Sequence, residues 1–166
     1  MVGRQGLTRD ALLRVFVDAG ADEPVSHLTT GNVSFGYDGS TRGFQRDVEA
    51  GIANILGRRE PVFIRSIAAL RRAVAKNPFA DPPFADVFER CVSFTDVSAK
   101  SLELPMTTPR GDAVVFAADA RAVFSVTRQV DGRPGNPVRL IERALGRPVT
   151  TRNWNTVERI LRKHAA

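Results

Sequence analysis

The chain has 166 residues, 43% hydrophobic and 25% charged, with a formal net charge of +6. This is globular composition, sized for one domain or two small ones, and no apolar run approaches the ~20 residues that cross a bilayer. A single cysteine, Cys91, excludes an internal disulfide framework and suits a reducing cytoplasm, and residues 1–6 lack the apolar core of a secretory signal.

The first predicted helix runs from about Thr8 to Ala19. Thr8 is a suitable N-cap, because its hydroxyl can accept an otherwise unbonded N–H. Leu7 before the cap and Leu12 inside the helix suit a hydrophobic staple. Leu12, Val15, Phe16 and Ala19 form one apolar face, and Gly20 stops the helix. Val25–Leu28 and Val33–Tyr37 read as a strand pair around Thr29-Thr30-Gly31-Asn32, where glycine and asparagine supply positive φ. A second helix spans about Thr41–Leu56, with Phe44, Val48, Ile52 and Ile55 on one stripe and Gly57 closing it. Pro61–Ile64 reads as a short strand. Ser66 then caps a helix to Lys76, with Ile67, Leu70 and Val74 inward and Arg71, Arg72 and Lys76 toward water. Pro78 bars helical geometry at Asn77, and Asp81-Pro82-Pro83 extends the break.

Beyond this break the predicted strand is Arg90–Thr95, with Val92 and Phe94 on one face. A short helix is expected at Val97–Leu102. Ala113–Ala118 and Ala122–Arg128 form a hairpin, followed by a loop at 131–135. Asn136 caps a helix with Pro137 at its first position, Val138, Ile141 and Leu145 inward, and Gly146 at its end. Val149–Thr151 is a last short strand. The final helix runs from about Asn153 to His164, with Trp154, Val157, Ile160 and Leu161 on its apolar face.

The element order of the second half, strand-helix-strand-strand-helix-strand, is that of a ferredoxin-like split βαβ unit. The first half repeats it without the first strand. The expected architecture is therefore α+β. It comprises an N-terminal ferredoxin-like subdomain over residues 1–79, lacking its first strand, and a C-terminal one over 80–166 with a terminal helix. The missing strand would be central, so its neighbours would present unpaired N–H and C=O groups. Residues 1–6, another chain or a rearranged sheet would fill the gap, unless the natural protein starts upstream.

The positive charge is unevenly spread. Residues 139–166 carry 7 Lys+Arg against 2 Asp+Glu, whereas residues 78–138 carry 6 against 8. A clustered positive field attracts polyanions. Against this stands the Arg-rich composition, since only Lys76, Lys100 and Lys163 are lysine, and an Arg-rich helix face is commonly just solvated.

Catalytic constellations are scarce. Neither a Walker-type phosphate loop nor a dinucleotide fingerprint is present. His27 and His164 have no Cys or His partner at metal-ligand spacing, so no metal site and no cofactor is expected. Cys91 reads as a packed thiol. An enzymatic role stays undecided. The notable stretch is Thr150-Thr151-Arg152-Asn153-Trp154-Asn155-Thr156-Val157, where a helix N-terminus stands beside a guanidinium. Arg152, Asn153 and Asn155 could hold a phosphate or carboxylate there, with Arg133 and Arg139 nearby. The same residues also suit a cap, a core tryptophan and a bridging arginine.

Thr151–Val157, together with Thr30-Gly31-Asn32-Val33-Ser34-Phe35 and Asn77-Pro78-Phe79, resembles a widespread bacterial family of unknown function, domain of unknown function 1697. The resemblance covers nearly the whole chain and implies a fold more than an activity. Two departures stand out. Val2-Gly3-Arg4 resembles only the tail of the family's opening strand, and Asn136-Pro137 stands where many relatives carry Ser-Lys.

The expectation is thus a cytoplasmic binding module for a phosphorylated small molecule or nucleic acid. Its ligand would sit in the cleft between the halves or on the basic C-terminal surface of Arg159, Arg162 and Lys163. A small enzyme using that cleft, and a structural or interaction protein, remain alternatives. So do a homodimer and another chain completing the first sheet.

Overall fold

The computed structural model describes residues 6–27 and 31–164, and contacts divide the chain into two units, Met1–Ile64 and Arg65–Ala166. The composition break at 81–83 thus falls inside the second of these units.

In the first unit, α1 (Arg9–Asp18) starts at Thr8, whose hydroxyl accepts the Ala11 N–H at 3.1 Å. Leu7, Leu12, Val15 and Phe16 are buried in one cluster, as the staple predicts. β1 (Asp22–His27) and β2 (Asn32–Gly36) pair antiparallel. Gly31 takes φ 74°, the positive angle expected at the reversal. Leu28, at the end of the expected first strand, and Thr29 and Thr30 lie outside the described residues, as do residues 1–5, most of the segment named as one way to fill the first sheet.

α2 (Thr41–Leu56) ends at Gly57, whose φ is 69°. It buries Phe44, Val48 and Ile52 against α1 and the strand pair. Phe44 stacks on Phe35 at 4.6 Å and meets Phe16 edge-on at 5.8 Å. This aromatic knot substitutes for the breadth that a two-stranded sheet lacks.

Pro61–Ile64 is not a strand. Its backbone is captured by α2 instead. Val62 N–H donates to Glu49 Oε1 at 3.0 Å, and Val62 C=O accepts from Gln45 Nε2 at 2.7 Å. A residue with both backbone groups bonded by side chains has none left for a ladder.

In the second unit, α3 (Ile67–Ala75) is capped by Ser66, whose hydroxyl accepts the Ala69 N–H at 3.2 Å. The strands are β3 (Glu89–Phe94), β4 (Met106–Thr107), β5 (Ala113–Ala118), β6 (Ala122–Thr127), the small hairpin β7 (Gln129–Val130) and β8 (Arg133–Pro134), and β9 (Thr150–Asn153). α4 (Val138–Leu145) precedes β9, and α5 (Trp154–Lys163) follows it. The main sheet has order β4-β5-β6-β3-β9, with every neighbouring pair antiparallel.

Helices cover both faces of this sheet. On one, Val92, Phe124 and Val126 pack with Trp154, Val157 and Leu161 of α5 and with Ile67, Leu70 and Val74 of α3. On the other, Val115 and Val123 pack with Ile141 of α4 and with Ala99. Coverage of both faces explains why β6 is nearly all buried rather than alternating. The α4-facing side also buries Ser93, Ser125 and Thr127. The segment after β8 comes close to β5, and a Cβ on Gly135 would stand 2.0 Å from Asp112 O.

The mixed α+β class agrees with expectation. The helix expected at Val97–Leu102 is only a turn. Its donors are diverted: Ala99 N–H bonds Ala120 C=O at 3.0 Å, and Val97 N–H bonds Thr95 Oγ1 at 3.3 Å. The loop expected at 131–135 contains β8 and turns through Asp131 and Gly132, with φ 52° and 71°. Asp-Gly with two positive φ angles is a hairpin signal.

Candidate anion-binding site

The strand-to-helix junction has no loop. Asn153 ends β9 and is also the N-cap of α5, with φ −63° and ψ 135°. Its Oδ1 accepts the Asn155 N–H at 3.0 Å. Asparagine, not either threonine, therefore caps this helix. Thr151 shares a 2.7 Å hydroxyl bond with Ser93, and Thr150 Oγ1 accepts from Arg152 Nη1 at 2.8 Å.

Trp154 is 3% exposed. Its ring meets Phe79 at 5.2 Å and Phe124 at 5.9 Å. It is a core anchor, packed against two other rings. Truncating a buried aromatic of this kind costs about 3–5 kcal/mol.

Arg152 lies opposite Val92 in the β3–β9 ladder. It donates to Thr150 Oγ1 and, at 2.9 Å, to its neighbour's carbonyl, Thr151 O. Burial pulls its pKa below that of a free guanidinium, although an arginine so placed stays charged. Its Nη1 donates to the edge strand itself. Asn155 Oδ1 accepts from Arg90 Nη2 at 2.9 Å, and the Arg90 guanidinium lies 6.0 Å from the Phe79 ring centre. A second arginine thus reaches the start of α5, one that sequence reasoning missed because 65 residues separate it from its partner.

Arg133 and Arg139 are exposed, on β8 and α4. α4 packs on the opposite sheet face from Val92, Arg152's ladder neighbour. Sequence adjacency therefore does not translate into one anion cradle for all five residues. Asn136 Oδ1 accepts the Val138 N–H at 2.9 Å, but the helix starts at Val138 and Pro137, expected at its first position, stands at the cap.

The basic C-terminal surface gains residues in the fold. α3 packs against α5, and Arg71 Nη2 donates to the His164 carbonyl at the end of α5. Arg71 and Arg72 on α3 and Arg159, Arg162 and Lys163 on α5 are all exposed. Glu158, half-buried, is the single carboxylate on these two helices. Lys76, at the end of α3, is held apart by a 2.9 Å ion pair with Asp119. The charge excess of residues 139–166 pointed to the α5 part of this surface, whereas its union with α3 depends on packing between segments about 90 residues apart in sequence.

Other chemistry-bearing residues have structural surroundings. Burial, with Glu89 adding charge repulsion, pushes the Cys91 thiol up to about 12. A thiol so placed is not ionised near neutral pH and is a poor nucleophile. His27 is buried in β1, with Nε2 2.7 Å from Ser34 Oγ. Arg65 bonds the carbonyls of Thr95 and Arg121 and lies 5.3 Å over Phe94. Its pKa is lowered first by burial and then by Arg121, with Asp96 opposing. Among the described residues no group of three or more His, Cys, Asp or Glu could hold a metal ion, and no helix is long and apolar enough to cross a membrane.

These features define a mixed α+β protein with an Arg/Lys-bearing helix pair on one sheet face. The chain belongs to the family described as "Protein of unknown function (DUF1697)", whose family model matches residues 1–124. The match ends before the Thr150–Val157 stretch. No curated protein and no solved structure matches the chain.

Proposed function

We propose that the chain is a binding module for an anionic ligand, seated on the outer face of α3 and α5. The observation that carries this reading is the convergence of Arg71, Arg72, Arg159, Arg162 and Lys163 on one packed helix pair. The distribution of charge supports it. Residues 65–166 carry 17 Lys+Arg against 10 Asp+Glu, net +7, while residues 1–64 carry 7 against 8, net −1. Arg-rich codon usage alone would not sort the excess this way. Exposed guanidinium groups suit phosphate, with five donors in a planar fork.

The same reading weakens Arg152 as a ligand residue. To hold a phosphate it would have to give up bonds to Thr150 and Thr151 in a partly desolvated place. It serves the β9 edge better than a ligand. The fold reading that accompanies this function is a split βαβ unit for residues after the Pro-rich break. It is supported by β3, the first strand there, pairing on both sides, with β6 and β9. The first crossover is a loop instead of a helix.

The test is binding of heparin, a generic polyanion, followed by fluorescence anisotropy across a salt series. The reading expects affinity that falls steeply with salt and is sharply reduced by Arg159→Ala/Arg162→Ala/Lys163→Ala. Salt-insensitive behaviour, or no binding at low salt, contradicts it.

A further inference from the structure

We infer that the anion this surface takes is double-stranded nucleic acid, held through its phosphates without reading the bases. The inference rests on the anion-binding reading above and names its ligand.

Single-strand binders combine a basic groove with aromatic rings on which successive bases stack. The rings of this unit are committed elsewhere. Trp154, Phe79 and Phe124 are buried against one another. Phe116 meets Phe79 at 5.7 Å, Phe94 lies under the Arg65 guanidinium and Phe84 under that of Arg128. Phe88 is exposed, but it directly precedes β3, and Arg90 two residues on bonds the first turn of α5. The α5 cations occupy the opposite end of that helix. One ring at the far end does not make a stacking platform.

Base readout in a duplex needs a helix or ribbon that enters the major groove, about 12 Å wide. α3 and α5 instead lie side by side on a sheet. Packed helices sit about 8–10 Å apart, so a pair lying on a sheet is broader than the single helix that a major groove admits. An anionic membrane fits less well. Helices that lie in a bilayer surface expose a face of Trp, Phe or Leu to lipid. Here Trp154, Val157 and Leu161 are buried in the core, and the exposed α3 and α5 side chains include Ala68, Ala75 and Asn155 but no large apolar one.

Five cations at about 0.9 released counterions each give a log–log salt slope of about −4.5 on duplex, against about −3.5 on a single strand. At 0.1 M salt each such contact contributes roughly 0.9 decades of affinity, so loss of three lowers it by roughly two to three orders of magnitude.

The full chain is titrated at several salt concentrations. The probes are a mixed-sequence DNA duplex, its shuffled version, its single strand and phosphatidylserine-containing vesicles. Expected are binding to both duplexes with equal affinity, the steeper slope, and weaker binding to single strand and vesicles. Arg159→Gln/Arg162→Gln/Lys163→Gln should bring the duplex slope to about −2 with thermal unfolding unchanged. Arg71→Gln/Arg72→Gln, on the other helix, should flatten it independently, which guards against one variant misfolding. Preference for single strand or vesicles, or discrimination between the two duplexes, overturns the duplex assignment and leaves the anion-binding reading standing. Absence of binding to every probe and to heparin overturns both.

Discussion

The two units solve the problem of a thin core differently. Among the described residues of 1–64 there are two strands, and four rings (Phe16, Phe35, Tyr37 and Phe44) pack together in their core cluster. A loose segment is then tied down by Gln45 and Glu49. Residues 65–166 build a five-stranded sheet with helices on both faces and a separate apolar cluster on each face. Charge follows the same division. The first unit is near neutrality, and the second carries the whole excess. The contrast teaches that the basic character is local to the unit that can display it on a rigid scaffold.

The comparison can be broken at several points. The largest effect is expected in the cores. Trp154→Ala should cost about 3–5 kcal/mol in urea denaturation and raise hydrogen exchange in α5, β3 and β6. Phe44→Ala should cost a similar amount, about 3–5 kcal/mol, with exchange rising in α1, α2 and β2. If either variant leaves stability unchanged, the corresponding ring is not the anchor described. Gly135→Ala is next. Its Cβ would collide with Asp112 O, so the segment must shift, at about 1–3 kcal/mol. A neutral outcome would mean that the close approach to β5 is easily relieved.

Smaller effects sit at surface details of the second unit. Ser66→Ala removes the α3 cap and should cost about 1 kcal/mol. The Lys76–Asp119 pair is half-exposed, so its contribution is about 0.2–1 kcal/mol. Asp119's pKa is lowered, first by the hydrogen bond from Lys76 and then by the Ala120 N–H. A lowered folded pKa gives stability that is complete above the unfolded carboxylate value of about 3.9 and lost as pH falls through the folded value. The difference between the native chain and Asp119→Asn should therefore be present at pH 7 and fade below about pH 3–4. A difference that persists at pH 2 would assign the effect to something other than this carboxylate.

Local rules made much of the fold legible. Thr8 and Ser66 announce helix starts, Gly57 and Gly146 announce ends, and the apolar stripes of α1, α2 and α5 reach the core as their spacing predicts. Tertiary capture hid the rest. Pro61–Ile64 has a strand's composition, but side chains from α2 take its backbone groups. Val97–Leu102 has a helix's composition, but its donors go to Thr95 and Ala120. β4, β7 and β8, two residues each, are too short to show a period. At the site, Arg152 and Asn153 were legible as residues of interest, yet their partners are what define their duties. Asn153 turned out to cap α5 itself, and Arg152 bonds its own strand. The addition of Arg71 and Arg72 to the α5 cations was not legible, because nothing local predicts that α3 lies beside α5.

The most direct test of the account compares charge removed from each unit in equal measure. Arg159→Ala/Arg162→Ala/Lys163→Ala takes three exposed cations from α5, and Arg42→Ala/Arg46→Ala/Arg59→Ala takes three exposed cations from the first unit. The measurement is the salt dependence of DNA-duplex binding for both variants and the native chain. The account predicts a slope that falls from about −4.5 to about −2 for the α5 variant and stays unchanged for the other. Equal flattening in both would show that only net charge matters, and would contradict a binding surface on α3 and α5.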